Sequence, residues 1–133
     1  MLKILSYIFF ALLVLFAVGY FLTISGGKPI SADLSLVGKG KPSLVLAYQN
    51  YSPVGGEALN NLRKVRESYD DRMLFIVADL GTPQGEAFAN RYSLIHGEAV
   101  FLLADGTPYS TTTIPSDEQE LRRLLDIKIN AAQ

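Results

Sequence analysis

The chain has 133 residues with no cysteine and one histidine, and its 12 Lys and Arg nearly balance its 13 Asp and Glu. The length suits one domain, and the cysteine count excludes disulfides, thiol catalysis and thiolate metal sites. A metal site built from several histidines of one chain is also excluded, and the near-neutral charge argues against nucleic acid as a partner.

The chain opens on a long apolar segment. Residues 4–27 carry no charge, and residues 4–24 are mostly Leu, Phe, Val, Ile and Ala. A helix of about 20 such residues crosses a hydrocarbon core of about 30 Å, so residues 1–27 are predicted to be a signal-anchor in the lipid bilayer. The alternative is a cleaved signal peptide, but its apolar core has typically about 7–15 residues, and this one is longer.

The charges that flank the anchor bear on its orientation. Lys3 and the free amine favour a cytoplasmic N-terminus, whereas Lys28, Lys39 and Lys41 follow the span and weakly oppose it under the positive-inside rule. Long domains cross largely regardless of charge, and the start resembles an export signal that was never cut. The soluble domain is therefore expected outside the cytoplasm, on the periplasmic side.

The remainder divides into a linker, residues 28–42, and one folded domain, residues 43–133. The linker is rich in Gly and Pro, and its apolar patch at residues 34–37 is compatible with one short strand. Two continuous apolar runs, residues 43–48 and 73–78, have strand length and are predicted to be covered on both faces.

Helical patterns follow both of these strands. After Gly55-Gly56, apolar residues recur at helical spacing up to Tyr69. Thr82-Pro83 is typical of an N-cap followed by proline at the first helical position. The buried face of this second helix is predicted to consist of Ala87, Phe88 and Tyr92.

The last third of the chain predicts a hairpin and a helix. Residues 99–104 and 109–113 read as strands joined by an Asp105-Gly106 turn, and Pro108 places the second of them at an edge. Residues 116–119 fit a capping box at the start of the last helix. Its inward residues are predicted to be Leu121, Leu124, Leu125 and Ile129.

The order β-α-β-α-β-β-α predicts an α/β domain. Strands joined through a helix are parallel, and the hairpin adds an antiparallel edge. A mixed four-stranded sheet with helices on both faces follows.

This arrangement resembles the thioredoxin family over about residues 41–126. Residues 44–69 and 92–106 each align with a typical thioredoxin without a gap. The family's strand, its Trp-Cys-Gly-Pro-Cys segment and its long helix fall on residues 44–48, the Tyr-Ser-Pro-Val-Gly of residues 51–55, and residues 59–69. The resemblance implies a thioredoxin-like fold.

The functional residues of that family are absent. Ser52 and Gly55 stand where the family has its nucleophilic and resolving cysteines. Leu46 stands at the place of the buried acid, and Glu98 at the place of the cis-proline. Loss of all of these together indicates that redox function was abandoned, so no catalytic residue, metal or cofactor is predicted.

Two residues are weighed as remaining carriers of chemistry. Ser52 would be a nucleophile if His96 were its base and Glu98 oriented the imidazole, since the resembled fold brings their loops close. A serine before a proline is also an ordinary turn or N-cap residue, and this interpretation is preferred. His96 as a metal or haem ligand lacks partners, with Glu98 the nearest.

A partner-binding surface is the stronger candidate. In thioredoxins, the active-site surface and the cis-proline loop dock extended partner segments, and tyrosine supplies contact area at low entropic cost. The alternative is that Tyr48 belongs to the core and Tyr51 only caps the sheet edge. The predicted partner-binding residues are Tyr48, Tyr51, Ser52, Pro53, Val54, Gly97, Glu98 and Ala99.

The sequence thus predicts a membrane-anchored, thioredoxin-like protein without oxidoreductase activity. It would be an accessory, assembly or interaction subunit of a membrane protein complex; a peripheral chaperone would differ only in how briefly its partners stay. The alternative function is a degenerate thiol-disulfide or cytochrome c maturation component that binds a thiol or haem substrate. Stable co-purifying membrane subunits favour the first, and specific binding of a cysteine-bearing peptide or haem favours the second.

Overall fold

The first element of the computed structural model is one long helix, α1, over Leu2–Ile24. The structure describes residues 1–24 and 29–133, with only the backbone of residues 21–24. Residues 25–28, which include the predicted end of the anchor and the first linker residue, lie outside the described residues. The segment Leu2–Tyr20 is long and apolar enough to cross a membrane and is not buried against the domain.

The folded domain is built on one mixed sheet of four strands. They are β1 (Ser43–Tyr48), β2 (Leu74–Asp79), β3 (Glu98–Leu102) and β4 (Pro108–Thr113), in the order β2-β1-β3-β4. β1 runs parallel to β2, and β3 is antiparallel to both β1 and β4. The predicted sheet and its Pro108-bearing edge strand are confirmed.

Helices cover both faces of the sheet. They are α2 (Pro53–Val65), α3 (Pro83–Arg91) and α4 (Glu118–Ala131), and a 3-10 turn, Arg66–Ser68, extends α2. Leu44 and Leu46 of β1 belong to the core under α2 and α4, whereas Val45 and Ala47 belong to a second core under α3. A strand buried on both faces has to be apolar at every position, which explains the continuous apolar run.

The first helix of the domain starts earlier than predicted. α2 begins at Pro53 rather than after Gly55-Gly56. Ser52 is its N-cap, since its Oγ accepts the Gly55 N–H at 3.3 Å, and Pro53 suits the first helical position because its φ is already helical. These local signals outweigh the low helix propensity of the two glycines.

The other two helices also depart from the expected detail. α3 starts at Thr82-Pro83 as predicted, but it buries Gly85 and Ala89 and leaves Ala87 exposed. Phe88 and Tyr92 are only half-buried. The small residues face β2 because the helix axis comes very close to the strand. The last helix is capped by Asp117 rather than by Ser116, because the Asp117 Oδ1 accepts the Gln119 N–H at 2.9 Å.

The described part of the predicted linker, residues 29–42, lies against the domain. The Ser31 carbonyl accepts the Val77 N–H at 2.8 Å, so Ser31 pairs with the outer edge of β2. The expected short strand at residues 34–37 is instead a 3-10 turn, Leu34–Leu36. Its start is capped by Asp33, whose Oδ1 accepts the Ser35 N–H at 3.1 Å.

Two tyrosines, the buried Tyr69 and the half-buried Tyr109, predict a loss of stability at alkaline pH. The Tyr69 hydroxyl donates to the Arg122 carbonyl at 3.2 Å and the Tyr109 hydroxyl to the Lys128 carbonyl at 2.8 Å, which ties α4 to the domain. Burial raises the pKa of both phenols above the ordinary value of about 10. A raised pKa in the folded state contributes stability that is complete below the unfolded pKa and is lost as the pH rises through the folded pKa.

The melting temperature should therefore fall as the pH is raised above about 10. A variant with both Tyr69→Phe and Tyr109→Phe should start less stable, since it lacks two hydrogen bonds of about 1 kcal/mol each, and should lose less between pH 9 and pH 11. Thermal unfolding of both proteins across this pH range measures the difference. Parallel curves would show that these phenols do not limit alkaline stability.

Candidate functional site

The candidate site lies at the end of the sheet where β1 ends and α2 begins. The connecting loop is a tight turn in which the Ser52 N–H donates to the Gln49 carbonyl at 3.0 Å. The turn and the N-cap leave Ser52 half-buried and direct Tyr51 to solvent, with 92% of its surface exposed. A hydrogen-bonded turn thus presents one aromatic ring to solvent.

A second segment, around Gly97, meets this loop. Gly97 has φ +86° and joins the sheet, donating its N–H to the Ala47 carbonyl at 3.0 Å and accepting the Ile114 N–H at 3.2 Å. A Cβ added to Gly97 would lie 2.8 Å from the Val54 Cγ1. The two segments expected to converge are therefore in direct contact, and only glycine suits this position because its φ is positive and Val54 fills the space.

The predicted partner-binding residues differ widely in exposure. Tyr51, Pro53 and Val54 are exposed, with Val54 at 53%. Tyr48 is half-buried and packs against the core, and its hydroxyl donates to the Asn50 Oδ1 at 3.0 Å. It therefore has the core contacts expected under the alternative interpretation.

Ala99 has to be removed from the candidate surface. It is fully buried within β3, which begins at Glu98 and carries Ala99 directly into the core. Gly97 is buried as well, so this second segment lacks exposed side chains at both positions. Glu98, between them, is half-buried.

One exposed residue of the site is missing from the sequence-based prediction. Ile95 is 61% exposed and lies in a closed turn with Glu98. The Ile95 N–H donates to the Glu98 Oε2 at 3.0 Å, and the Glu98 N–H donates to the Ile95 carbonyl at 3.1 Å. The feature of the sequence that could have predicted it is an apolar isoleucine in a loop, directly before His96-Gly97. We refer to the exposed side chains of Tyr51, Val54 and Ile95 as the Tyr51 patch.

The polar groups of the site are engaged in local structure. The Ser52 Oγ caps α2, and the Glu98 carboxylate closes its own turn. No hydrogen bond joins Ser52, His96 and Glu98 in the part of the chain that the structure describes. The described residues also contain no cluster of three His, Cys, Asp or Glu side chains that could hold a metal. The geometry agrees with an N-cap role for Ser52.

Comparison with known proteins identifies the fold. No family profile and no curated protein sequence matches the chain. The structure is similar to an uncharacterised thioredoxin-like protein from Clostridium perfringens, with a TM-score of 0.60 and 16% identity over 76% of this chain and 81% of that one.

Two thioredoxins are also similar. Fasciola hepatica thioredoxin has a TM-score of 0.54 and 18% identity over 68% of this chain and 84% of its own. The germline-specific thioredoxin Deadhead of Drosophila melanogaster has a TM-score of 0.57 and 15% identity over 68% and 83%. The predicted thioredoxin-like fold is confirmed, in a chain whose sequence contains no cysteine.

Proposed function

We propose that this thioredoxin-like chain is a membrane-anchored accessory, assembly or interaction subunit of a membrane protein complex, without redox activity and with its domain outside the cytoplasm. The observation that carries the proposal is the Tyr51 patch. Beside the positions where the resembled family has its cysteines, the chain presents exposed aromatic and aliphatic side chains, led by Tyr51 at 92% exposure. Disulfide exchange needs an attacking thiolate, which this sequence does not contain.

The local structure supports binding rather than chemistry. Ser52 caps α2, the Gly97 backbone is bonded within the sheet, and Val54 contacts Gly97. The backbone segments that carry the patch are therefore bonded within the domain before any partner arrives, which reduces the ordering cost of association. A large aromatic side chain at the centre of such a surface typically contributes much of the binding free energy.

Purification from native membranes in mild detergent tests the proposal. The wild-type chain should bring down a stable set of membrane proteins, identified by mass spectrometry. Tyr51→Ala should weaken their binding by about 2 kcal/mol or more, about 30-fold in affinity, because truncating a central aromatic residue typically costs this much. The domain should remain folded, since Tyr51 makes little contact with it.

Ile127→Ala is the matched control. Ile127 is an exposed apolar residue of α4, at 63% exposure, so its truncation should affect neither folding nor binding. If Tyr51→Ala retains its partners while substitutions in α1 release them, the helix is the interaction element and the proposal fails. Specific binding of a cysteine-bearing peptide or of haem at the patch would instead favour the thiol or haem-binding alternative.

A further inference from the structure

The sheet and α2 give the domain two distinct ends. β1 and β2 are parallel, so both begin at one end and finish at the other. The Tyr51 patch lies where β1 finishes, and α2 runs back from it to Arg66. The 13 residues of α2 rise about 1.5 Å each, which places its two ends about 20 Å apart. We call the end with Arg66 the entry end.

The chain joins the domain at the entry end. The Pro29 carbonyl accepts a hydrogen bond from the Arg66 Nη1 at 2.8 Å. Ser31 then pairs in parallel with Ile76, so this segment runs in the same direction as β2 and begins beside the start of that strand. Both contacts place the entry at the end opposite to the Tyr51 patch.

The connection between the apolar helix and this entry is short. Five peptide links separate Ile24 from Pro29, and they span at most about 18 Å in any conformation, at about 3.6 Å per link. If α1 crosses a bilayer, Pro29 at the entry end lies within about 18 Å of the last residue of that helix. Exposed charged residues lie near it. Lys39 is three residues before Pro42, whose carbonyl accepts the Leu74 N–H, and Asp71 is three residues before the start of β2.

An exposed apolar patch on an anchored domain can contact either lipid or protein. The entry of the chain at the opposite end of the domain favours protein. We infer that the domain stands on the bilayer with its entry end, and that the Tyr51 patch, about 20 Å further out along α2, meets a water-exposed protein segment. In this orientation, lipid and the membrane-spanning helices of a partner are out of its reach. The partner in this inference rests on the proposed function, whereas the orientation does not.

Single-cysteine variants test the orientation without background labelling, since the chain has no cysteine. The full chain is reconstituted alone in phosphatidylcholine and phosphatidylglycerol vesicles and spin-labelled at one position. The entry-end variants are Lys39→Cys and Asp71→Cys, and the patch variants are Tyr51→Cys and Ile95→Cys. Collisions are measured with a lipid-anchored nickel chelate and with a water-soluble one. Entry-end labels should collide several-fold more often with the lipid-anchored chelate than patch labels do.

If labels at both ends collide equally often with the lipid-anchored chelate, whether the frequency is high or low, the inferred orientation is wrong. If the labels at Tyr51 and Ile95 collide with it more often than the entry-end labels, the patch binds lipid. All four side chains are exposed, so melting temperatures close to that of the wild type verify the fold.

A photoreactive residue in place of Tyr51 then tests the partner in native membranes. Crosslinks should map to water-exposed peptides, and crosslinks to a membrane-spanning helix would contradict the inference. Normal co-purification by Tyr51→Ala would remove the proposed function but leave the orientation result intact.

Discussion

Replacing Leu46 with aspartate should remove most of the stability of the domain. Leu46 is fully buried in the middle of β1, with Val77 and Ala99 as its partners on the neighbouring strands. A carboxyl group placed there has either to be buried as an unpaired charge or to be protonated at a cost, and either alternative costs several kcal/mol. Small domains have a total stability of only about 5–15 kcal/mol, so most of it would be lost.

Thermal unfolding followed by the near-ultraviolet signal of the tyrosines reports mainly on the domain, since only Tyr7 and Tyr20 of the seven tyrosines lie in α1. Leu46→Met is the matched control, because a volume-conserving change in a core usually costs less than about 1.5 kcal/mol. The same aspartate at Ile127, which is 63% exposed, should have little effect. If Leu46→Asp melts within a degree or two of the wild type, then Leu46 is not a core residue and its correspondence to the family's buried acid is wrong.

The strands could be predicted from the sequence because the sheet is covered on both faces. Burial of β1 between two cores requires apolar residues at consecutive positions, and residues 44–47 are all fully buried. The edge position of β4 could be predicted for a different reason. Pro108 lacks an N–H and is tolerated at an edge, and the preceding Asp-Gly pair suits a hairpin turn, with Gly106 at φ +90°.

The helix details could not be predicted because they depend on tertiary contacts. A period of 3.6 places Ala87 and Phe88 on an apolar face, but the face that meets β2 carries Gly85 and Ala89. Only the folded structure shows that α3 approaches β2 too closely for larger side chains. Ser116 and Asp117 are both suitable N-caps by residue type, and the choice of Asp117 depends on where the chain leaves β4.

The candidate site was predictable in position but not in exposure. The resemblance to thioredoxins indicated that the loop at Tyr51 and the loop at Gly97 converge, and the contact between Val54 and Gly97 brings them together. Whether a neighbouring side chain faces solvent depends on where the strand begins. β3 begins at Glu98, and so Ala99 is core while Ile95 is surface.

Gly85→Ala should destabilise the domain, although the same change inside a helix usually stabilises it. Alanine has the higher helix propensity, by about 0.5–1 kcal/mol. At Gly85, however, an added Cβ would lie 1.9 Å from the Asp79 carbonyl oxygen and 2.7 Å from the Asp79 nitrogen. These are backbone atoms, so either α3 or the end of β2 has to move. Overpacking of this kind typically costs about 1–3 kcal/mol, and we expect a value at the upper end.

Gly56→Ala provides the comparison, because Gly56 lies inside α2 and an added Cβ there would meet nothing within 4 Å. It should leave stability unchanged or raise it by up to about 1 kcal/mol. Urea unfolding of both variants measures the two free energies against the wild type. The difference between the two free-energy changes separates a helix-propensity effect, which both positions share, from a packing effect, which only Gly85 has. If Gly85→Ala is as stable as Gly56→Ala, then α3 does not press against the end of β2, and the packing of this face of the sheet is wrong.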